Sequence, residues 1–573
     1  MEPNLLNMER GSASSYTLQW VPEGVKHRSN SQFSDVSQTT EVEAKQNIIF
    51  GNPAQAAWGI LLDYSRISTV HGVRYMVARK RPWWERILWI CIFVAAICIC
   101  ARLIAKIWLK WETTPVIVSF SEKTTPIWEI PFPSVVLCPE SRTVNGTFNF
   151  TEAFYQVIDN PSRDKFDNIS TTDYENLQTL SQICDADLVE RLKFKISEPI
   201  DVLDTMVSLA PTINYTMPFG MFKHKVFFPD GYFTTVFTDL GVCHQFNGMH
   251  QSEILHFPST TNFTFEGEVY RESTWSVDEG YRTRANDNNT YPWRVETAGA
   301  RGGLFLSLQG RIQDIDYLCR GSVEGFSIQL LSPDEFPAAN KQYVRVPFNK
   351  DVQLLITPQY ITTSENVKHY SAERRGCFFN EERSLKFFKK YTQNNCVLEC
   401  LTNYTLTKCG CVKFSMPRTK DMPICQASDI LCYQTAEDDL LRDQFEHGLI
   451  GYSDSPDCNC LPACTSIVYQ VEISEAHFDV YKVLEAYREN YTDENPGLVM
   501  GRTSIFFKEQ QILTIRRSQL FGTTDFLASS GGLLGLFVGI SALSFVEIIY
   551  FCTVRLISNL KMRRKVKSVV YQQ

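Results

Sequence analysis

The sequence predicts an α+β membrane protein. Two transmembrane helices flank a large, disulfide-rich extracellular domain with a β-sheet core and a helical, cysteine-bearing lobe. Three observations carry this reading. There are two long apolar runs, one toward each end. The 18 cysteines are unevenly placed. All N-x-S/T triplets fall between the two runs.

The first run is Ile87 to Trp111, ILWICIFVAAICICARLIAKIWLKW, and the second is Phe526 to Phe551, FLASSGGLLGLFVGISALSFVEIIYF. About twenty apolar residues cross a bilayer, so both are long enough. Neither reads as a cleavable signal peptide, one beginning too far into the chain and the other lying near its end. In the first run Arg102, Lys106 and Lys110 recur every four residues and form one stripe. Snorkelling toward the outer interface is the plain reading of that stripe.

Orientation follows from flanking charge. Arg79, Lys80, Arg81 and Arg86 precede the first run, and Arg555, Lys561, Arg563, Arg564, Lys565 and Lys567 follow the second. Basic residues favour the cytoplasmic side, so both termini are expected there. The expected organisation is a cytoplasmic tail over 1–86, a first span over 87–111, an extracellular domain over 112–525, a second span over 526–553 and a basic cytoplasmic tail over 554–573.

Cysteines and sequons give independent support. Fourteen cysteines lie between Cys138 and Cys464, and the first 90 residues hold none. That contrast suggests an oxidising middle and a reducing tail. Asn145, Asn149, Asn168, Asn214, Asn262, Asn288, Asn403 and Asn490 head the glycosylation triplets.

Composition narrows the function. With 573 residues, 44% hydrophobic and 21% charged, the chain has ample core for several domains. A net charge of −8 and the lack of a basic, aromatic-interleaved stripe argue against a nucleic-acid binder. No nucleophile–base motif, H-E-x-x-H or P-loop appears, so no enzyme and no cofactor is expected.

Within the extracellular domain, VFFPDGYFTTVFTDLGVCHQFN and GGLFLSLQGRIQDIDYLC alternate as strands do. A helical stretch is expected from about Ser371 to Cys400, with Leu385, Phe388 and Tyr391 at spacings of three. Cys396 and Cys400 then share one helix face, about 6 Å apart in rise. Cys458 and Cys460, read as extended, also share a face about 6.6 Å apart. A ladder of two disulfides fits those spacings, and Cys409 and Cys411 form another alternating pair that could staple to Cys425 and Cys432. Spacing does not fix the partners. Zinc binding is the alternative for such cysteines, but extracellular thiols oxidise, and no metal is expected.

The chain resembles the degenerin/epithelial sodium channel family, which includes the acid-sensing ion channels, and within it the insect pickpocket branch. The markers, in order, are His71-Gly72 in STVHGVRY, FTDLGVCHQFN, GFSIQLLSPDEFP, the run from Cys377 through CGCVKFSMPR to CNCLPAC, and GLFVGIS followed by LSFVE. The resemblance implies a trimer, homomeric or mixed with related subunits, whose second spans surround a pore. It implies pairs Cys138–Cys243, Cys377–Cys464, Cys396–Cys460, Cys400–Cys458, Cys409–Cys432 and Cys411–Cys425. Cys184 and Cys319 remain and are paired by elimination, a departure from the local pair of the acid-sensing channels.

The resemblance also assigns the pore. Gly539-Ile540-Ser541 resembles the selectivity filter, where glycine lets a carbonyl face an ion and serine adds a hydroxyl oxygen. The middle residue of the family is usually Ala or Ser, so Ile540 must face away from the axis for sodium preference. Gly531, Gly532 and Gly535 continue the small-residue stretch. Gly531, Gly535 and Gly539 form a helix face that suits either close packing or pore lining. Ala528 aligns with the gate neighbour where only small side chains are tolerated. Glu547 is expected to face water or a partner, because a charge within a span costs about 2.5–3.5 kcal/mol. His71 and Gly72 read as the gating motif near the inner mouth. Sodium is the expected permeant ion, the bilayer the expected partner, and an extracellular ligand, ionic, osmotic or mechanical cue the expected stimulus. Asp278, Glu279 and Asp334 are candidates for a proton-sensing cluster. A two-span adhesion receptor or an ATP-gated channel is the rival, and neither accounts for the glycine face, Glu547 and this cysteine order together.

Overall fold

The computed structural model describes residues 53–558, apart from 79–80, 114–115, 145, 160–168, 195–198, 258–269, 283–289, 321–322, 339–341, 451–457 and 489–496, together with Lys561. Most of the N-terminal tail, the basic cluster Arg563–Lys567, and the sequons at Asn145, Asn168, Asn262, Asn288 and Asn490 lie outside the described residues. The remaining sequon asparagines, Asn149, Asn214 and Asn403, are exposed. Contacts divide the chain into two compact units, residues 1–110 with 523–573, and residues 111–522.

Among the described residues the larger unit holds two large sheets and a two-stranded ribbon, Trp275–Ser276 with Gly280–Tyr281. In the eight-stranded sheet the order is Val116–Pro126, Gln511–Gln519, Lys350–Thr363, Leu498–Phe507, Leu304–Arg311, Phe219–Phe222 and Lys225–Phe227, with Ser466–His477 paired to Lys350–Thr363. In the five-stranded sheet it is Val344–Val346, Phe326–Leu331, Ser134–Pro139, Gly241–Phe246 and Phe233–Thr238. The alternating run FTTVFT pairs with GVCHQF through a tight turn closed by Thr238 opposite Gly241. Gly241 takes φ +97°, which a side chain resists, and Thr238 Oγ1 accepts from the Leu240 amide at 3.1 Å. Every residue of Gly241–Phe246 is buried. Phe246 joins a core of Phe132, Phe222 and Phe227, while Val242 packs with Leu203 and Met206 of the helix Val202–Leu209. Both faces of this strand are buried, so its polar His244 and Gln245 lie inside along with its apolar residues.

His244 sits on that strand, 4% exposed, with Nε2 lacking a described hydrogen bond. Burial pushes its pKa down to about 4 from 6.5. Between those values the unfolded chain binds the extra proton, so this residue's contribution is full above pH 6.5 and is lost as pH falls toward 4. The shift is worth about 3 kcal/mol. The melting temperature of full-length His244→Phe, subtracted from wild type, is expected to move in the variant's favour on going from pH 7.5 to 4.5. A constant difference would remove this account.

The helical lobe departs from the sequence expectation. The stretch from Ser371 to Cys400 is not one helix. Ala372–Arg375 makes a single turn ended by Gly376, and a second helix runs only from Gln393 to Cys409, capped by Thr392. Leu385, Phe388 and Tyr391 lie between them, buried but not helical. Tertiary bonds hold that segment instead. The Phe378 amide donates to Pro462 O, Tyr391 donates its amide to Asn380 Oδ1, and Glu399 accepts from the Lys386 and Phe387 amides. Cys458 and Cys460 are not on a strand either. Asn459 between them has φ +39°, so the expected extended spacing is not made.

Seven disulfides nevertheless close: Cys138–Cys243, Cys184–Cys319, Cys377–Cys464, Cys396–Cys460, Cys400–Cys458, Cys409–Cys432 and Cys411–Cys425. The sulfurs of Cys411 and Cys425 stand near Asp429 but are bonded to each other, so they are not thiolate ligands. Cys91, Cys98, Cys100 and Cys552 are free, and all four lie in the smaller unit.

In the smaller unit, helix Trp83–Thr113 is long and apolar enough to cross a membrane. The second apolar run is not one continuous helix. Thr523–Val538 and Ala542–Ser558 meet at a 70° bend.

Candidate pore and gating site

The bend falls on Gly539-Ile540-Ser541. Gly539 adopts φ +73°, outside the helical region and costly for any L side chain. Its amide still reaches Gly535 O at 3.0 Å, closing the last turn. Ser541 then starts the next helix. Its hydroxyl accepts from the Ser544 amide, and its amide donates to Ser544 Oγ at 3.1 Å, a reciprocal cap. Glycine ends one helix and serine begins another, so the break is encoded locally. No described hydrogen bond ends on the Gly539 or Ile540 carbonyl oxygens.

The His71-Gly72 segment docks on this break. Gly72 has φ +87° and turns the chain ahead of a short helix, Val73–Val77. The His71 amide donates to Val538 O at 3.0 Å, satisfying a carbonyl that the break would otherwise orphan. A Cβ on Gly539 would lie 2.3 Å from His71 Nδ1, so glycine is required there twice, for conformation and for space. The other glycines differ. Added Cβ atoms on Gly531 and Gly532 meet nothing within 4 Å, and on Gly535 only Ile540 O at 3.9 Å. Within one subunit these positions are therefore not sites of close helix packing. Ala528 and Ser541 are exposed in the single chain, and Ile540 is partly covered.

Glu547 is partly covered, and it accepts from Thr69 Oγ1 at 3.2 Å. Thr69 also bonds Ser544 Oγ at 2.9 Å, and Ser544 is 1% exposed. Thr69 lies inside the STVHGVRY marker, two residues before His71, but the motif assigns it no role. Further along, Arg555 lies 3.4 Å from Asp63, and Tyr64 packs on Phe551 at 5.3 Å between ring centroids. The helix Pro53–Ile67 is thereby tied to the end of the second run. The sequence signal for those contacts is no more than one acid and one base nearly five hundred residues apart.

The three acids nominated as a proton sensor each have their own local partner. Asp278 accepts from Asn380 Nδ2 at 3.1 Å, Glu279 stands 3.6 Å from Arg282, and Asp334 accepts from Ser332. Glu335, which the sequence did not single out, is the displaced carboxyl. Burial, reinforced by Asp334, raises it to about 8.

A family model described as amiloride-sensitive sodium channel matches residues 64–551, which is most of the chain. The chain belongs to the amiloride-sensitive sodium channel family. It is a cation channel of the degenerin/epithelial sodium channel type and not an enzyme, and channels of this family are plasma-membrane oligomers of related subunits. Pickpocket protein 28 of Drosophila melanogaster is 26% identical over 86% of this chain and 78% of its own length. Sodium channel protein Nach of Drosophila ananassae is 24% identical over 91% of this chain and 90% of its own. Human acid-sensing ion channel 2 is 24% identical over 85% and 84%. A solved proton-activated chloride channel aligns at 7% identity, over 83% of this chain and 98% of that one, with a TM-score of 0.27, too slight a likeness to bear on the fold.

Proposed function

We propose that this chain forms a sodium-preferring, amiloride-sensitive pore as a trimer, alone or with related subunits, opened by an extracellular stimulus. Both termini face the cytoplasm, residues 87–111 and 526–553 span the membrane, and 112–525 face outward. Gly539 to Ser541 form the constriction. Three copies would present the Gly539 and Ile540 carbonyls, with the Ser541 hydroxyl beside them, in place of part of the hydration shell of sodium. Ala528 neighbours the gate, and Glu547, held by Thr69, gives the inner vestibule a negative ring. His71 and Gly72, docked on the helix break, serve as the gating motif.

The observation that carries this reading is the break itself, with two carbonyls that accept no described hydrogen bond and His71 docked against Gly539. Broken helices at membrane depth persist where the freed backbone is buried or lines a water-filled path. The test is voltage clamp of cells expressing the chain, alone and with related subunits, with sodium replaced by a large organic cation and amiloride added. Ala528→Val should raise the standing current, and Ser541→Ala should shift the reversal potential between sodium and potassium. An unchanged reversal potential would remove the filter assignment. No sodium current in any combination would remove the sodium-channel reading.

A further inference from the structure

The first span carries its charge in the wrong place for its length. From Ile87 to Ala101 it is uncharged, fifteen residues or about 22 Å of helix. The hydrocarbon core is about 30 Å, so that stretch falls short by roughly 8 Å. The helix itself is long enough, running on to Thr113, but Arg102, Lys106 and Lys110 occupy its outer third. No Asp or Glu lies within four residues of Arg102 or Lys106.

Arg102 and Lys106 also face away from the covered side of that helix. Phe93, Ala96, Cys100, Ile104 and Ile107 form the more covered side of the helix, with Cys100 2% exposed. At about 100° per residue, Arg102 and Lys106 stand roughly 200° and 240° round from Cys100. Both are exposed and have no partner among the described residues. Trp108 packs edge-on against Phe526 at 5.6 Å, which puts it level with the start of the second run. Arg102 is six residues, about 9 Å, below that level.

Snorkelling does not relieve Arg102. Side chains on a helix lean toward its N-terminus. With a cytoplasmic N-terminus, the Arg102 side chain leans deeper into the bilayer, away from the outer surface it needs to reach. A cation held there is stabilised when headgroups and water come to it.

We propose that Arg102 and Lys106 bind the phosphate groups of outer-leaflet phospholipids and draw the membrane surface inward along this face of the first span. The placement in the outer leaflet rests on the orientation given under the proposed function. The binding of phosphate does not.

The test uses the full-length channel purified into nanodiscs. One set contains phosphatidylcholine with 14-carbon or 22-carbon chains, and another contains a galactolipid without phosphate. Retained lipid is counted by native mass spectrometry and thermal stability is measured alongside. Wild type is expected to melt higher in the 14-carbon than in the 22-carbon lipid, and to keep phosphatidylcholine in preference to galactolipid. Arg102→Gln/Lys106→Gln should retain less phosphatidylcholine than wild type, because the two cations that pair with its phosphate are gone. The chain-length preference should vanish with it. Equal retention of the two lipid classes by wild type would overturn phosphate recognition, and this arm needs no variant. An unchanged count in the double variant would overturn the assignment to these two residues. An N-terminal tag is read separately with antibody on intact cells. Staining there would sink the orientation, and with it the outer leaflet, whatever the lipid counts.

Discussion

Gly539→Val is expected to reach the cell surface and to carry less than about a tenth of the wild-type sodium current. The left-handed φ of +73° costs an L residue about 1–2 kcal/mol, and a branched side chain more. The new Cβ would also stand 2.3 Å from the His71 ring. Either the helix straightens or His71 leaves, and both lose the hydrogen bond from the His71 amide to Val538 O. The two costs separate in a double-mutant cycle. Gly539→Ala should be impaired, and His71→Ala should relieve the steric part but not the conformational part. Surface biotinylation alongside voltage clamp distinguishes a closed pore from a missing protein. Wild-type currents from Gly539→Val at wild-type surface density would show that the strained turn is not part of the conducting structure.

Removing the Cys377–Cys464 disulfide should destabilise the larger unit by about 4–5 kcal/mol, from the unfolded-state entropy of a loop of 87 residues. Both cysteines are fully buried. They sit beside a short bridge in which the Phe378 amide donates to Pro462 O and the Cys464 amide donates to Phe378 O. Cys377→Ala/Cys464→Ala should therefore lower the melting temperature and hold the protein in immature glycoforms. The partly exposed Cys400–Cys458 rung closes a 58-residue loop, for which chain entropy alone predicts a similar loss. The buried pair should cost more, because alanine leaves a cavity where the sulfurs packed. Equal melting temperatures for both double variants would mean that packing at the buried rung contributes nothing beyond chain entropy.

The parts legible in the sequence are those set by composition or by neighbours along the chain. Apolar length defines the Trp83–Thr113 helix, and strand alternation with a Thr-Asp-Leu-Gly turn defines the hairpin that carries Cys243. Gly539 and Ser541 end and restart a helix by themselves, so the break in the second run was written locally. The period of three at Leu385, Phe388 and Tyr391 misled, because a core can space apolar residues that way without a helix when disulfides and side-chain acceptors hold the backbone. Asn459 shows the same limit. Its left-handed turn replaces the extended geometry that Cys458 and Cys460 suggest, and both disulfides still form.

Composition and short-range order along the chain set the two apolar runs, the cysteine-rich stretch between them, and the glycine and serine at which the second run breaks. Tertiary structure alone decided what meets that break. His71 comes to Val538, Thr69 to Glu547 and Asp63 to Arg555 across more than 460 residues of intervening chain. Local propensity acts over a few residues, whereas these contacts require the ends of the chain to be brought together, and that follows from the packing of the whole unit.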